Sequence, residues 1–422
     1  MKVMVVGGGG REHAIVKSLK KNAGITELYC LPGNGGIAAD AVCVPIGAKD
    51  TDGIVRFAVE NGIDYAVVAP DDPLVLGTVD RLNAEGIPCF GPTAAAARIE
   101  GSKIFAKQLM KKYGIPTAEF RVFTDPGDAL EYVATCPLPT VIKADGLALG
   151  KGVVIAKTRG EAETAVREMM ISGRFGESGR QILIEQCLTG PEVSVLAFTD
   201  GVTVCPMISS MDHKRAHDGN EGPNTGGMGT VAPNPYYTDS VADECMKTIF
   251  LPTVRAMAAE GCPFKGCLYF GLMLTTDGPK VIEYNCRFGD PETQVVLPLL
   301  ENDLLTIMLA VTDGTLDANR PVFSNKHACC VIEASDGYPG KYASGFPVKS
   351  EPYPGTEIFY AGVKLTDSGE LVTSGGRVLG ITAVADSLAE AVKTAYAATG
   401  KTGFENAYYR KDIGAEALKA VR

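Results

Sequence analysis

The chain has 422 residues, room for about two to four domains and an ample core. Hydrophobic residues make up 45% and charged residues 21%, which argues against disorder, and a net charge of −10 with no polybasic run disfavours nucleic acid as a partner. No apolar run nears the roughly 18 residues of a membrane span, and the 12 cysteines lack paired spacing, which points to free thiols in a reducing cytoplasm.

Residues 1–102 alternate short apolar runs with helix-like segments. The pattern predicts strands at Val3–Val6, Glu27–Leu31, Asp64–Ala69 and Ile87–Phe90, with a helix from about Arg11. Such alternation implies a Rossmann-like parallel sheet, with ligands at the carboxyl ends of its strands. The run Met1–Val6 is too short for a signal peptide and meets Gly7–Arg11 at once, so it reads as a strand and a turn. The glycines Gly7–Gly10 fail as a dinucleotide fingerprint. Glu12 stands where the third glycine belongs, and Tyr29-Cys30-Leu31 ends a strand without an acidic residue. Two readings remain: a phosphate-holding turn helped by Arg11, or a tight turn alone.

A helix near Ser102 opens a middle domain, 103–326, which contains a small mobile unit at about 115–190. Strands are predicted near Thr140–Ala144, Gly152–Ala156 and Gln181–Glu185. Between the first two lies Asp145–Gly152, whose small residues let backbone approach an anion while Lys151 supplies a movable charge. It is no Walker loop, since Val153 follows Gly152. Lys143 precedes this loop and Lys103 lies on the earlier helix. The strand ending at Glu185 runs into a polar hinge at Gln186–Leu188, with Glu192 seven residues past Glu185. Residues 327–422 form a last, β-rich domain.

The most telling segment is Val281–Gln294. Alternation after its apolar start puts Glu283, Asn285 and Arg287 on one strand face, roughly 7 Å from one to the next. A carboxylate, an amide oxygen and a guanidinium in a row suit a metal-bound polyphosphate: oxygens for the ion, a fixed cation for a phosphoryl group. A solvated polar strand face is the bland alternative.

The order of these pieces resembles the ATP-grasp superfamily, and within it the glycinamide ribonucleotide synthetases. The resemblance rests on Gly9–Ala14, Pro32–Asn34, Phe90–Thr93, Glu100–Lys103, Ile142–Leu147, Gly150–Val153, Asp212–Arg215, Gly222–Gly229, Glu283–Gln294, Gly375–Val378 and Arg410–Gly414, in family order along the whole chain. It implies an ATP-grasp fold (α/β, α+β in parts) that joins glycine to 5-phosphoribosylamine with ATP as co-substrate and Mg²⁺ or Mn²⁺ as metal. Carried over residue by residue, the metal falls to Glu283 and Asn285, and ATP to Lys103, Lys143, Gly150, Lys151, Gly152, Glu185, Leu188 and Glu192. Arg287, Lys151 and Asp212 serve the chemistry. The phosphosugar falls to Gly10, Arg11, Asp290, Glu292 and Arg377, and glycine to Asp212, Asn224, Thr225 and Gly226. His13 and His213 are expected as hydrogen-bonding partners rather than bases.

Three positions depart from the family pattern: Asp71-Asp72 in place of a glutamate, Leu149 in the cover loop, and Gly271 where many ATP-grasp enzymes carry another acidic metal ligand. The sequence leaves open another ATP-grasp carboxylate–amine ligase, a biotin carboxylase, and a nucleotide-sensing module without turnover. A cytoplasmic monomer is expected, with a dimer permitted.

Overall fold

In the computed structural model, residues 1–147, 152–173 and 176–421 are described. The amino-terminal five-stranded sheet is parallel, with β1 (Lys2–Gly7) at its centre. Beside it lie β2 (Glu27–Pro32) and β3 (Val42–Cys43) on one side, β4 (Tyr65–Val68) and β5 (Cys89–Phe90) on the other. The apolar runs are uninterrupted because both faces are covered. Val3 and Val5 enter one core while Met4 and Val6 enter another.

The turn after β1 leads into α1 (Gly10–Leu19). Glu12 caps this helix: its carboxylate accepts from the Gly9 N–H at 2.6 Å and holds the Arg11 Nε at 2.6 Å. A residue that breaks the dinucleotide pattern therefore closes the helix itself. A later helix that bears on the site, α2 (Lys103–Tyr113), begins at Ser102, whose Oγ accepts from the Phe105 N–H, and ends at Gly114 in the left-handed region.

A four-stranded antiparallel sheet follows: β6 (Phe120–Phe123), β9 (Ile182–Gln186), β7 (Thr140–Ala144) and β8 (Val153–Ala156), in that spatial order. It closes over its own core of Ile142, Ile182, Ile184, Val166 and Met169. A second antiparallel sheet orders β11 (Val204–Pro206), β10 (Glu192–Asp200), β16 (Lys265–Thr275) and β17 (Gly278–Asn285). Its two faces feed the same two cores as β1: Val193, Val195 and Phe270 on one side, Leu196, Phe198 and Tyr269 on the other.

The third large sheet joins distant parts of the chain. Its order is β12 (Met211–Asp212), β15 (Gly229–Ala232), β18 (His327–Ser335), Arg377–Ala385 and Thr356–Tyr360, and Ala407–Tyr408 also pairs with β18. Between β12 and β15 runs a hairpin of β13 (Arg215–His217) and β14 (Glu221–Asn224).

Candidate active site

The strand β17 delivers Glu283 and Asn285. Its register with β16 slips at Ile282, so that Val281 faces Leu272 and Glu283 faces Gly271. Beyond the bulge, Tyr284 and Cys286 enter the core while Glu283 and Asn285 share the opposite side. A side chain at Gly271 would bring a Cβ to 3.0 Å from the Glu283 Cγ, so this position could not be filled without moving Glu283.

Arg287 lies past the end of β17, not on its face, because the strand stops at Asn285. The guanidinium still returns to the row: Nη2 donates to the Asn285 Oδ1 at 3.1 Å and pairs with the Glu100 carboxylate at 3.0 Å. Glu100 also accepts from the Cys286 N–H at 2.7 Å. Burial would lower the Arg287 pKa, but Glu100 and Asp71 raise it, so the charge is fixed. Its Nε is buried with no partner among the described residues.

Glu283 is the focus of the cations. Burial would push its carboxyl up, yet Lys214, Lys143, Lys103 and Arg287 together hold it below the ordinary carboxylate range. Lys214 Nζ lies 3.6 Å from Glu283 and 3.3 Å from Glu192, and these carboxylates raise its pKa. Lys103 Nζ donates to the Gly146 carbonyl at 2.7 Å. Lys143 is buried, pairs with Glu185 at 3.2 Å and donates to the Ile282 carbonyl at 3.0 Å. Glu185 meets a second lysine, Lys107, at 3.1 Å, and burial draws Lys107 down to about 8. The other Glu185 oxygen, Oε1, is buried and has no partner among the described residues. Leu188 sits half-buried in the hinge after β9. Among the cover-loop residues, Gly152 is described and buried, whereas Gly150 and Lys151 lie outside the described residues.

The second half of the site is assembled from backbone. Arg377 Nη1 donates to the carbonyls of Gly226 at 2.8 Å and Asp290 at 2.8 Å, and its Nη2 lies 3.3 Å from the Asp290 carboxylate. Asp290 also accepts from Gln294 Nε2 at 2.8 Å. Arg11 joins the group by donating to the Phe288 carbonyl at 3.1 Å, and Gly10 packs so closely that a Cβ there would stand 2.7 Å from Gln294 Nε2. Asp212 is enclosed nearby. Burial and the neighbouring Glu292 carry its carboxyl well above the usual range, and its Oδ1 has no hydrogen-bond partner among the described residues. Glu292 itself accepts from the Tyr269 hydroxyl at 3.1 Å. Thr225 Oγ1 donates to the Lys214 carbonyl at 2.9 Å, Gly226 N–H donates to the Tyr338 hydroxyl at 3.0 Å, and Asn224 ends β14 opposite Arg215.

Three contributors were not singled out from sequence. Lys107 could have been found, since it stands one turn after Lys103 on a helix whose cap was legible. Lys214 and Glu100 lie within the segments that carry the resemblance, but no role was assigned to them, as only tertiary packing brings them to Glu283 and Arg287.

The residues suit Mg²⁺ and ATP. Among the described residues no cluster of three or more His, Cys, Asp or Glu could hold an ion alone. Glu283 and Asn285 thus offer two hard oxygens beside a ring of phosphate-neutralising cations, which fits an ion completing its shell from phosphate and water.

Comparison with known proteins places these features in a family. Models of phosphoribosylglycinamide synthetase match in three parts: the N domain over residues 1–100, the ATP-grasp (A) domain over 101–293 and the C domain over 328–416. The phosphoribosylamine–glycine ligase of Caldanaerobacter subterraneus subsp. tengcongensis is 48% identical over 416 residues, spanning 98% of this chain and 100% of that protein. That of Escherichia coli O6:H1 is 44% identical over 425 residues, 99% of both. The crystal structure of the Thermotoga maritima phosphoribosylamine–glycine ligase superposes with a TM-score of 0.86 at 33% identity, covering 98% of this chain and 100% of that one. With its ATP-grasp fold and full-length similarity, the chain belongs to the phosphoribosylglycinamide synthetase family.

Proposed function

We propose a division of labour among these residues for the family's reaction, ATP + glycine + 5-phosphoribosylamine → glycinamide ribonucleotide + ADP + phosphate. The chain is a C–N ligase of purine biosynthesis. A glycine carboxylate oxygen attacks the γ-phosphorus of ATP, giving glycyl phosphate and releasing ADP. The amine of the phosphosugar then attacks the carbonyl carbon, and phosphate leaves. Phosphoryl transfer of this kind depends on alignment and on neutralised oxygens.

Arg287, held by Glu100, steadies the transferring phosphoryl group. Lys103 and Lys143 face the ATP phosphates, and Lys151 with Gly150 and Gly152 covers them. Glu185, the Leu188 backbone and Glu192 take adenosine; the unpartnered Glu185 oxygen supports a polar ligand there. Glu283 and Asn285 hold Mg²⁺, or Mn²⁺ by the same oxygen chemistry, which when bound withdraws charge from the triphosphate. Gly10, Arg11, Asp290, Glu292 and Arg377 receive the phosphosugar. Asp212, Asn224, Thr225 and Gly226 line the glycine pocket.

In this reading residues 1–102 carry the phosphosugar turn and 103–326 the nucleotide machinery, with 115–190 as its lid. Residues 327–422 close the substrate side. The enzyme acts as a cytoplasmic monomer, its location supported by 12 free cysteines. No helix among the described residues is long and apolar enough to cross a membrane.

One observation carries the reading. Lys214 reaches Glu283 on the metal strand while standing two residues from Asp212, so nucleotide and carboxylate halves meet at one point. The test is phosphate release from ATP and Mg²⁺ with glycine and freshly prepared phosphoribosylamine. Release that needs both substrates is expected; release driven equally by another amino acid or amine overturns the assignment.

A further inference from the structure

The run Arg410–Gly414 takes no part in the proposed chemistry, yet Arg410 is among the largest fully buried side chains, 1% exposed. Its guanidinium is nearly saturated. Nε and Nη2 grip the two oxygens of Asp412 at 2.7 and 2.8 Å, Nη1 donates to the Arg215 carbonyl at 3.1 Å, and Nη2 donates again to the Asn220 Oδ1 at 3.0 Å. Asp412 in turn accepts from the Gly219 N–H at 2.9 Å, and Lys411 N–H donates to Asp218 at 2.8 Å. The turn so gripped carries Gly219 and Asn220 at φ 71° and 58°. Asn220 is thus in the left-handed region, which asparagine adopts more readily than most side chains.

Two residues past Asp412, Gly414 N–H donates to the His213 Nε2 at 3.1 Å. That bond makes Nε2 the acceptor, so the proton sits on Nδ1 and is donated to the Gly229 carbonyl at 3.1 Å. Burial draws His213 down to about 4, in keeping with this neutral form. His213 stands between Asp212 of the glycine pocket and Lys214 beside the metal strand. Asp212 has a buried Oδ1 with no hydrogen bond, so its position depends on the backbone on either side.

We infer that Arg410 is a positioning residue for the glycine pocket: with Asp412 it locks the 215–220 turn, while Gly414 locks His213, and together they fix Asp212 and Thr225. The inference rests on the proposed glycine pocket. Lysine could not reproduce the lock, because it offers a point charge instead of a planar fork.

The test is steady-state kinetics of full-length Arg410→Lys with each substrate varied, alongside thermal melting. The KM for glycine should rise about tenfold, as displacement of a positioned group produces, while the KM values for ATP and phosphoribosylamine stay unchanged; the melting temperature should fall, since a buried bidentate pair is lost. An unchanged glycine KM, or a parallel rise of all three KM values, overturns the inference. Should Arg410→Lys fail to fold, Asp412→Asn carries the same expectation and is overturned by the same two results. Asp212→Asn separates the two readings. If it raises the glycine KM and the Arg410 variant does not, only the lock is wrong; if neither does, the pocket and the lock both fall.

Discussion

Around Glu283 the charged side chains are mostly shared among charged partners; around Asp212 the arginine and threonine lean mostly on backbone carbonyls. On the nucleotide side Lys107 and Lys143 share Glu185, and Lys214 spans Glu192 and Glu283. Pairs of this kind can exchange one partner for a ligand charge, and among the described residues one Glu185 oxygen has no partner. On the carboxylate side Arg377 is tied to the carbonyls of Gly226, Gly227 and Asp290, and Thr225 to that of Lys214. Backbone cannot change rotamer, so this side selects by shape. In the proposed reading, one side adapts to a large charged ligand and the other encloses a small one.

The largest break should come at the adaptable side. Glu283→Ala removes the proposed metal oxygen and the focus of four cations, and turnover should drop by about a thousandfold or more, the worth of several kcal/mol of charge stabilisation. Circular dichroism and melting should match the parent. A variant that stays active and metal-dependent would show that Glu283 does not hold the ion.

The rigid side is broken by one methyl group. Gly227 has φ 114°, and a Cβ there would stand 2.4 Å from the Pro291 Cδ and 2.6 Å from the Asp212 Oδ1. Gly227→Ala should lower kcat/KM for glycine by about a hundredfold and leave ATP binding, followed by calorimetry, near the parent value. Equal losses for both ligands would erase the distinction between the two sides.

The smallest effect lies outside both. Glu333 is buried in β18, accepts from Thr402 at 2.9 Å, and leaves Oε2 unpartnered. Burial pushes its carboxyl up to about 7. A raised carboxyl keeps its proton in the folded state where the unfolded chain has already lost it. Stability from this group is therefore full below the unfolded value near 4.5 and is lost as pH rises through 7. Glu333→Gln should remove about 2 kcal/mol of that loss between pH 5 and 8, at 1.36 kcal/mol per pKa unit, with kinetics unchanged. Denaturant melts of both proteins at the two pH values give the answer, and parallel stability curves would mean Glu333 titrates normally.

Much of this was legible in the chain. Thr140–Ala144 matches its predicted strand end to end, and the four amino-terminal strands lie where apolar runs announced them, because local burial on both faces writes itself into local sequence. The shared strand face of Glu283 and Asn285 was legible from alternation. The bulge at Ile282 and the strand end before Arg287 were not, since they are set by register against β16. The partners of the expected residues were hidden too. Lys143 and Glu185, assigned to opposite ends of ATP, pair with each other here, and Glu100 reaches Arg287 across nearly two hundred residues of chain. Nothing in a strand of two residues such as Met211–Asp212 announces its neighbours.

That short strand has a consequence for how the polypeptide can be divided. Met211–Asp212 and Gly229–Ala232 complete a sheet whose other members come after residue 326. Cutting the chain there would strip hydrogen bonds from Gly229–Ala232 and leave a bare edge, a template for clumping. The last hundred residues are thus no detachable appendage, and any larger polypeptide that incorporates this catalyst must inherit it whole.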